Sequence, residues 1–146
     1  PYQPAFLIRS HSDLTNVTGN NTNYTVVFDT EVFDQNADIT TTTFTAPVTG
    51  KYQINFNITF VSLSSATDVF IDIISSNRNY RFNPGTNNPT TADLTSYPMV
   101  QGSVLIDMDA DDTVYLRANV NGVGADSVDI AGDATGLTEF SGFLAC

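Results

Sequence analysis

The sequence predicts an all-β fold of two stacked sheets, and three observations predict it. From Lys51 the chain alternates strictly: Tyr52, Ile54, Phe56, Ile58 and Phe60 fall on one face, and Lys51, Gln53, Asn55, Asn57 and Thr59 on the other. That period of two belongs to a half-buried strand. No window sustains apolar residues at helical spacing without a Gly, Pro or Thr interruption. Finally, ten short segments carry the β-branched and aromatic residues that suit a pleated surface, and ten short strands imply two sheets rather than one.

The predicted strands run over 5–9, 24–28, 42–46, 51–61, 68–75, 78–82, 99–108, 113–118, 127–130 and 140–145. Segment 5–9 reads AFLIR, 24–28 reads YTVVF and 42–46 reads TTFTA. The third ends at Pro47 and Gly50, turn residues placed where the chain must reverse into the long strand 51–61. Segments 68–75 and 100–108 are apolar on both faces, so part of their second face needs a cover, and a subunit interface would supply one. The acidic run Asp109-Ala110-Asp111-Asp112 is a hairpin tip between 99–108 and 113–118. Polar loops rich in Asn, Thr, Asp and Gly occupy 13–23, 83–96 and 120–136, where recognition would sit.

Composition limits the function. A chain of 146 residues, 41% hydrophobic and with ten Phe and six Tyr, reads as one compact domain spanning 1–146. Five Lys plus Arg against sixteen Asp plus Glu give a net charge of -11. So acidic a surface disfavours nucleic acid, whose phosphates require cations, and anionic membranes for the same reason. The single Cys146 forms no internal disulfide, and no apolar run approaches the roughly 20 residues that cross a bilayer as a helix, so no membrane insertion is expected. Opening on Pro1 rather than Met, the chain reads as a fragment or a processed product.

No catalytic constellation emerges. His11-Ser12-Asp13 holds the residue types of a hydrolase triad, but such side chains converge from separated positions, and three consecutive loop residues read better as a surface turn. With only one His and no nucleophile-elbow, zinc-binding or phosphate-loop motif, the chain is expected not to be an enzyme and to need no cofactor. Glycosylation sequons stand at Asn16, Asn20, Asn23 and Asn57; the favoured reading is that they reflect only an Asn- and Thr-rich text.

The spacing from Phe44 through Gly50, Tyr52, Ile54 and Phe56 resembles the signature of the globular heads of the complement C1q family, as do Val26–Thr30 and the closing Phe140-Ser141-Gly142-Phe143-Leu144. Gly102-Ser103-Val104 followed by Asp112-Thr113-Val114-Tyr115-Leu116 is similar to that family's late pair of strands, and Asp34 meets the acidic or amide position six residues after Phe28. The gap from Ile39 to Phe44 is shorter than the family's usual spacing. The resemblance implies a ten-stranded jelly roll of the C1q and tumour-necrosis-factor type, assembled as a homotrimer. Its Asn- and Thr-rich flavour looks most like the versions in bacteriophage fibres and microbial surface proteins.

Such heads act by binding. The candidate ligand contacts are Tyr80, Arg81, Phe82 and Tyr97 with Asn87 and Asn88 in the loop between them, because aromatic faces, amides and a guanidinium suit both sugar rings and protein hot spots. The alternative is that Phe82 and Tyr97 pack beneath that loop. The family often holds calcium near its apex, so Asp109, Asp111 and Asp112 are the candidate cation ligands, against a solvated hairpin tip. The expected role is a binding head at a virion or other extracellular surface, recognising a host saccharide or protein. The rival is a structural subunit, a trimerisation or capsid-decoration module that binds no receptor.

Overall fold

The computed structural model describes residues 3–63, 65–83 and 97–146, and these build twelve strands and no helix. In chain order they are β1 (Ala5–Arg9), β2 (Leu14–Thr18), β3 (Thr22–Thr25), β4 (Thr30–Asp34), β5 (Thr43–Thr45), β6 (Gly50–Val61), β7 (Asp68–Ser75), β8 (Asn79–Phe82), β9 (Met99–Met108), β10 (Thr113–Asn121), β11 (Val128–Ile130) and β12 (Glu139–Leu144). The long strand β6 organises the larger sheet: it pairs with β9 along one edge and with β12 and then β11 along the other. β1 and β4 continue beyond β12, and β2 lies outside β11, giving seven strands. The second sheet has five, in the order β3, β10, β7, β8, with β5 also paired to β10. All pairings are antiparallel.

The alternation of β6 does what its spacing predicts. Tyr52, Ile54, Ile58 and Phe60 are wholly buried and Phe56 nearly so, facing Val69, Ile71 and Ile73 of β7 and Val114, Leu116 and Ala118 of β10 in one core between the sheets. An aromatic chain runs through it. Phe6 stacks on Phe44 with centroids 4.6 Å apart and meets Phe140 edge-on at 5.0 Å, while Phe44 touches Tyr52 at 5.5 Å. The Tyr52 hydroxyl, buried with its ring, donates to the Val48 carbonyl at 2.7 Å, so the turn at Pro47–Gly50 satisfies the polar tip of a core residue.

Two glycines of the quoted motifs are fixed by packing. A Cβ at Gly142 would lie 2.7 Å from Ile54 Cδ1 and 2.8 Å from a Phe6 ring carbon. At Gly102 it would lie 2.5–2.6 Å from the rings of Phe56 and Phe82. Only a residue without a side chain lets β12 and β9 pass so close to the core aromatics.

Two strands exceed the ten expected. β2 and β4 arise in segments read as polar loop or left unassigned, and β3 ends at Thr25 where a strand to Phe28 was expected. β2 holds only Leu14 and Val17 as apolar residues; its pairing to β11 and the bond from the Asn16 amide to the Asp129 carboxylate at 2.7 Å hold it extended around a positive-φ bulge at Asn16. β4 lies at the edge of the larger sheet, paired only to β1. Val26 and Phe28, beyond β3, are still fully buried.

Candidate functional site

β8 and β9 are the open edges of the two sheets on one side of the sandwich, and the expected ligand residues gather there only in part. Tyr80 and Phe82 point inward from β8: both are half-buried against the core, and Phe82 meets Phe56 edge-on at 5.0 Å. Burial also pushes the Tyr80 phenol above its ordinary pKa. Phe82 therefore packs on the core, while residues 84–96 of the loop above it lie outside the described residues. Arg81 and Phe82 share a cleft of about 430 Å³ with Asn83, Met99, Val100 and Gln101. Tyr97 does not line that cleft; it stands 62% exposed ahead of β9. Asn87 and Asn88 lie outside the described residues.

Arg81 turns the other way, onto the solvent face of the five-stranded sheet. Its Nε and Nη2 donate to the two oxygens of Asp72 at 2.7 and 2.9 Å, and its guanidinium carbon sits 4.5 Å from the centre of the Phe70 ring. Arg117, across the ladder on β10, donates to the same carboxylate at 2.7 Å. Asp72 is 2% exposed although it lies on the outer side of its sheet. Burial works to raise its pKa, but the hydrogen bonds and charges of Arg81 and Arg117 outweigh it and hold the carboxyl below its ordinary value. The bond to Asp72 in turn raises Arg81. The second face of β7 is thus covered in part by this chain's own guanidinium groups, where the sequence suggested a neighbouring subunit.

The acidic tip is tied into its own hairpin. The Asp112 carboxylate accepts from the Asp109 amide at 2.9 Å and from Asn77 Nδ2 at 2.7 Å, and the Thr49 hydroxyl lies 3.4 Å from Asp109. Asp111 takes a positive φ of 72° and donates its amide to the Ala46 carbonyl. Asp107 pairs with Arg78 at 3.2 Å. Among the described residues no three His, Cys, Asp or Glu side chains converge as a metal site requires.

The remaining candidates resolve into backbone support. The amides of His11 and Ser12 both donate to the Asp29 carboxylate, and the Asp13 carboxylate accepts from the Gly132 amide, so the three residues act as loop fasteners. Asn57 Nδ2 donates to the carbonyls of Gly136 and Leu137, which leaves that sequon's nitrogen engaged. Asn16, Asn20 and Asn23 are exposed.

The open face of the larger sheet carries a surface that the sequence did not single out by residue. Gln53 stands between Phe143 on β12 and Leu105 on β9, and the next strands add Leu7 and Phe33 to the same side. Phe33, Leu105 and Phe143 are 44%, 51% and 43% exposed. Between them a polar seam is satisfied internally: Gln53 Nε2 donates to the Ser103 hydroxyl, which donates to Asn55.

Two antiparallel sheets closed in this order define a jelly roll. The family model of the C1q domain matches residues 5–145, and the chain belongs to that family. Among solved structures, the globular domain of zebrafish complement 1qA protein superposes with a TM-score of 0.67 at 19% identity, covering 99% of this chain and 98% of that one. Murine APRIL at pH 8.5 superposes with a TM-score of 0.62 at 9% identity, covering 98% and 99%. These likenesses show the fold alone. A search of curated protein sequences returned no match. Domains of this class are typically non-enzymatic modules that form homotrimers, bind ligands or receptors and are extracellular or secreted.

Proposed function

We propose that this protein is a non-enzymatic, homotrimeric binding head at a virion or other extracellular surface, recognising a host saccharide or protein. The observation that carries the reading is that Leu105, Phe143, Leu7 and Phe33 stand on the same open side of the larger sheet, the first two across Gln53 in one register row and Leu7 beside Phe33 in the next. Half-exposed apolar groups gathered on one sheet face cost solubility unless something covers them, and in a family that typically trimerises the cover is a second copy. The polar seam between them is partly paired within the chain, Gln53 Nε2 to the Ser103 hydroxyl and that hydroxyl to Asn55 Oδ1, which lowers the cost of covering this face. Recognition then falls to the opposite sheet and to the edge cleft beside Arg81 and Phe82, which the trimer leaves outside.

The reading requires no catalytic cofactor. Calcium at Asp109, Asp111 and Asp112 would belong to assembly, relieving repulsion between three acidic chains, each of charge -11. The test is flow cytometry of the fluorescently labelled head on a panel of bacterial and animal cells, with unlabelled head as competitor. Saturable, competed binding to some cells is the expected result. A stable trimer that binds none of them would favour the structural subunit instead.

A further inference from the structure

We propose that the solvent face of the five-stranded sheet around Phe70, Asp72, Arg81, Arg117 and Asn119 is a binding site for neutral saccharides. The proposal deepens the binding-head reading above and rests on it.

The first ground is a buried charge cluster on an outer sheet face, where a packed apolar residue could stand instead. Asp72 is 2% exposed on the outer side of a sheet, desolvated by two guanidinium groups from its own chain. Removing a carboxylate from water offsets most of what its ion pairs contribute, so an apolar residue would serve a merely structural role as well. What the cluster does supply is one fixed donor group, the Arg117 guanidinium held by the buried carboxylate, beside the Phe70 ring that Arg81 covers from the same carboxylate.

Two orphaned polar atoms provide the second, independent ground. Among the described residues four buried side-chain atoms lack a hydrogen-bond partner, and two of these, Arg117 Nε and Asn119 Oδ1, lie two residues apart on the outer side of β10. Asn119 is 6% exposed, and its Nδ2 is already committed to the Asn21 carbonyl and Asn23 Oδ1, so its free oxygen is not a reversed amide. Across the ladder Asn119 faces Phe70 and Arg117 faces Asp72. The unsatisfied acceptor therefore belongs to the residue across from Phe70 and the unsatisfied donor to the residue across from Asp72, on one outer face, and groups of this kind in a folded protein call for a partner.

The pairing selects the ligand. A carboxylate or phosphate would satisfy Arg117 but not the Asn119 oxygen, and would approach a chain of net charge -11. A hydroxyl both donates and accepts, and adjacent hydroxyls on a sugar ring serve the two atoms at once. Arg81 is the movable cover: its side chain is 55% exposed, and when it swings from Phe70 it frees an aromatic face for the sugar ring while Arg117 still holds Asp72.

The experiment applies labelled head to an array of neutral hexose and N-acetylhexosamine oligosaccharides beside sialylated and sulfated ones. Wild-type protein is expected to retain neutral glycans, Phe70→Leu to weaken that retention at least about tenfold, and Arg81→Gln, which uncovers the ring, not to weaken it, each without loss of cooperative melting. A readout without substitution is solution NMR, in which the retained glycan shifts the Asn119 side-chain amide. Retention of no glycan, retention of acidic glycans only, neutral retention unchanged in Phe70→Leu, or an Asn119 amide that stays still while the glycan is bound would each overturn the proposal. A head that bound cells but no neutral glycan would sink this site and leave the binding-head reading standing, whereas binding to neither removes both.

Discussion

Phe143 and Leu105 flank Gln53 on the open face of the larger sheet, two half-exposed apolar side chains separated by one strand. Both sit on residues whose neighbours in sequence, Gly142 and Ile106, face the core. A strand offers its two sides independently, so this face is free to serve assembly while the other serves folding.

Placing a charge there should separate the two roles. Phe143→Glu is expected to weaken self-association by at least about a hundredfold, since a carboxylate buried in an apolar contact goes unpaired, while the monomer's circular dichroism stays that of the wild type. Sedimentation velocity over a concentration series checks it. Loss of the β signature would mean instead that Phe143 belongs to the fold.

Gly142→Ala should destabilise the core by about 1–3 kcal/mol, because the new methyl meets Ile54 and Phe6 at well under van der Waals distance. Ile54→Val removes the nearest of those atoms. In urea titrations the double variant is therefore expected to be more stable than the sum of the two single changes, and simple additivity would show that the strain lies elsewhere.

Acid should weaken the fold through several carboxylates of one sign. Asp72, Asp29 and Asp133 all titrate below the ordinary 3.8, held there respectively by Arg81 and Arg117, by the His11 amide, and by the Thr135 hydroxyl. Their contribution is complete above that value and disappears as pH falls through the folded pKa. Asp38, raised by burial, acts in the opposite sense. Urea midpoints are expected to be flat near neutral pH and to fall below about pH 4. Asp72→Asn should cost about 2 kcal/mol at neutral pH, less than a fully buried pair because Arg81 is half in water, and the gap to wild type should close in acid.

The acidic hairpin yields a prediction about metal. Asp112→Ala removes the acceptor for the Asp109 amide and Asn77 and should cost about 1 kcal/mol in the monomer, equally with calcium and with chelator. A calcium-dependent difference would assign a cation to Asp109, Asp111 and Asp112.

Much of this architecture was legible in the residues. The alternation of β6 needs only its period to be read, and the core aromatics Phe44, Tyr52 and Phe56 stand at the spacing that two packed sheets impose. β2 and β4 were not legible, because LTNVT and TEVFD bury little and owe their extended form to ladder partners more than a hundred residues away or on an outer edge. The same limit applies to the site. Tyr80, Arg81 and Phe82 look alike as candidates in sequence, yet the pleat sends the first and third inward and only Arg81 outward. Asp72, Arg117 and Asn119, from two other strands of the sheet, complete its surroundings, and no local pattern joins residues 72, 81 and 117. Asp68-Val69-Phe70-Ile71-Asp72 did carry one usable signal, a second acidic residue, Asp72, set between Ile71 and Ile73 in the middle of the strand, which asks for a cation opposite.

The most direct test of the account is the absolute mass of the isolated chain by light scattering, run over a dilution series. The account predicts a mass near three times 15.8 kDa that Phe143→Glu reduces. A mass of 15.8 kDa at every concentration, with the apolar face of Leu7, Phe33, Leu105 and Phe143 left in water, would contradict it.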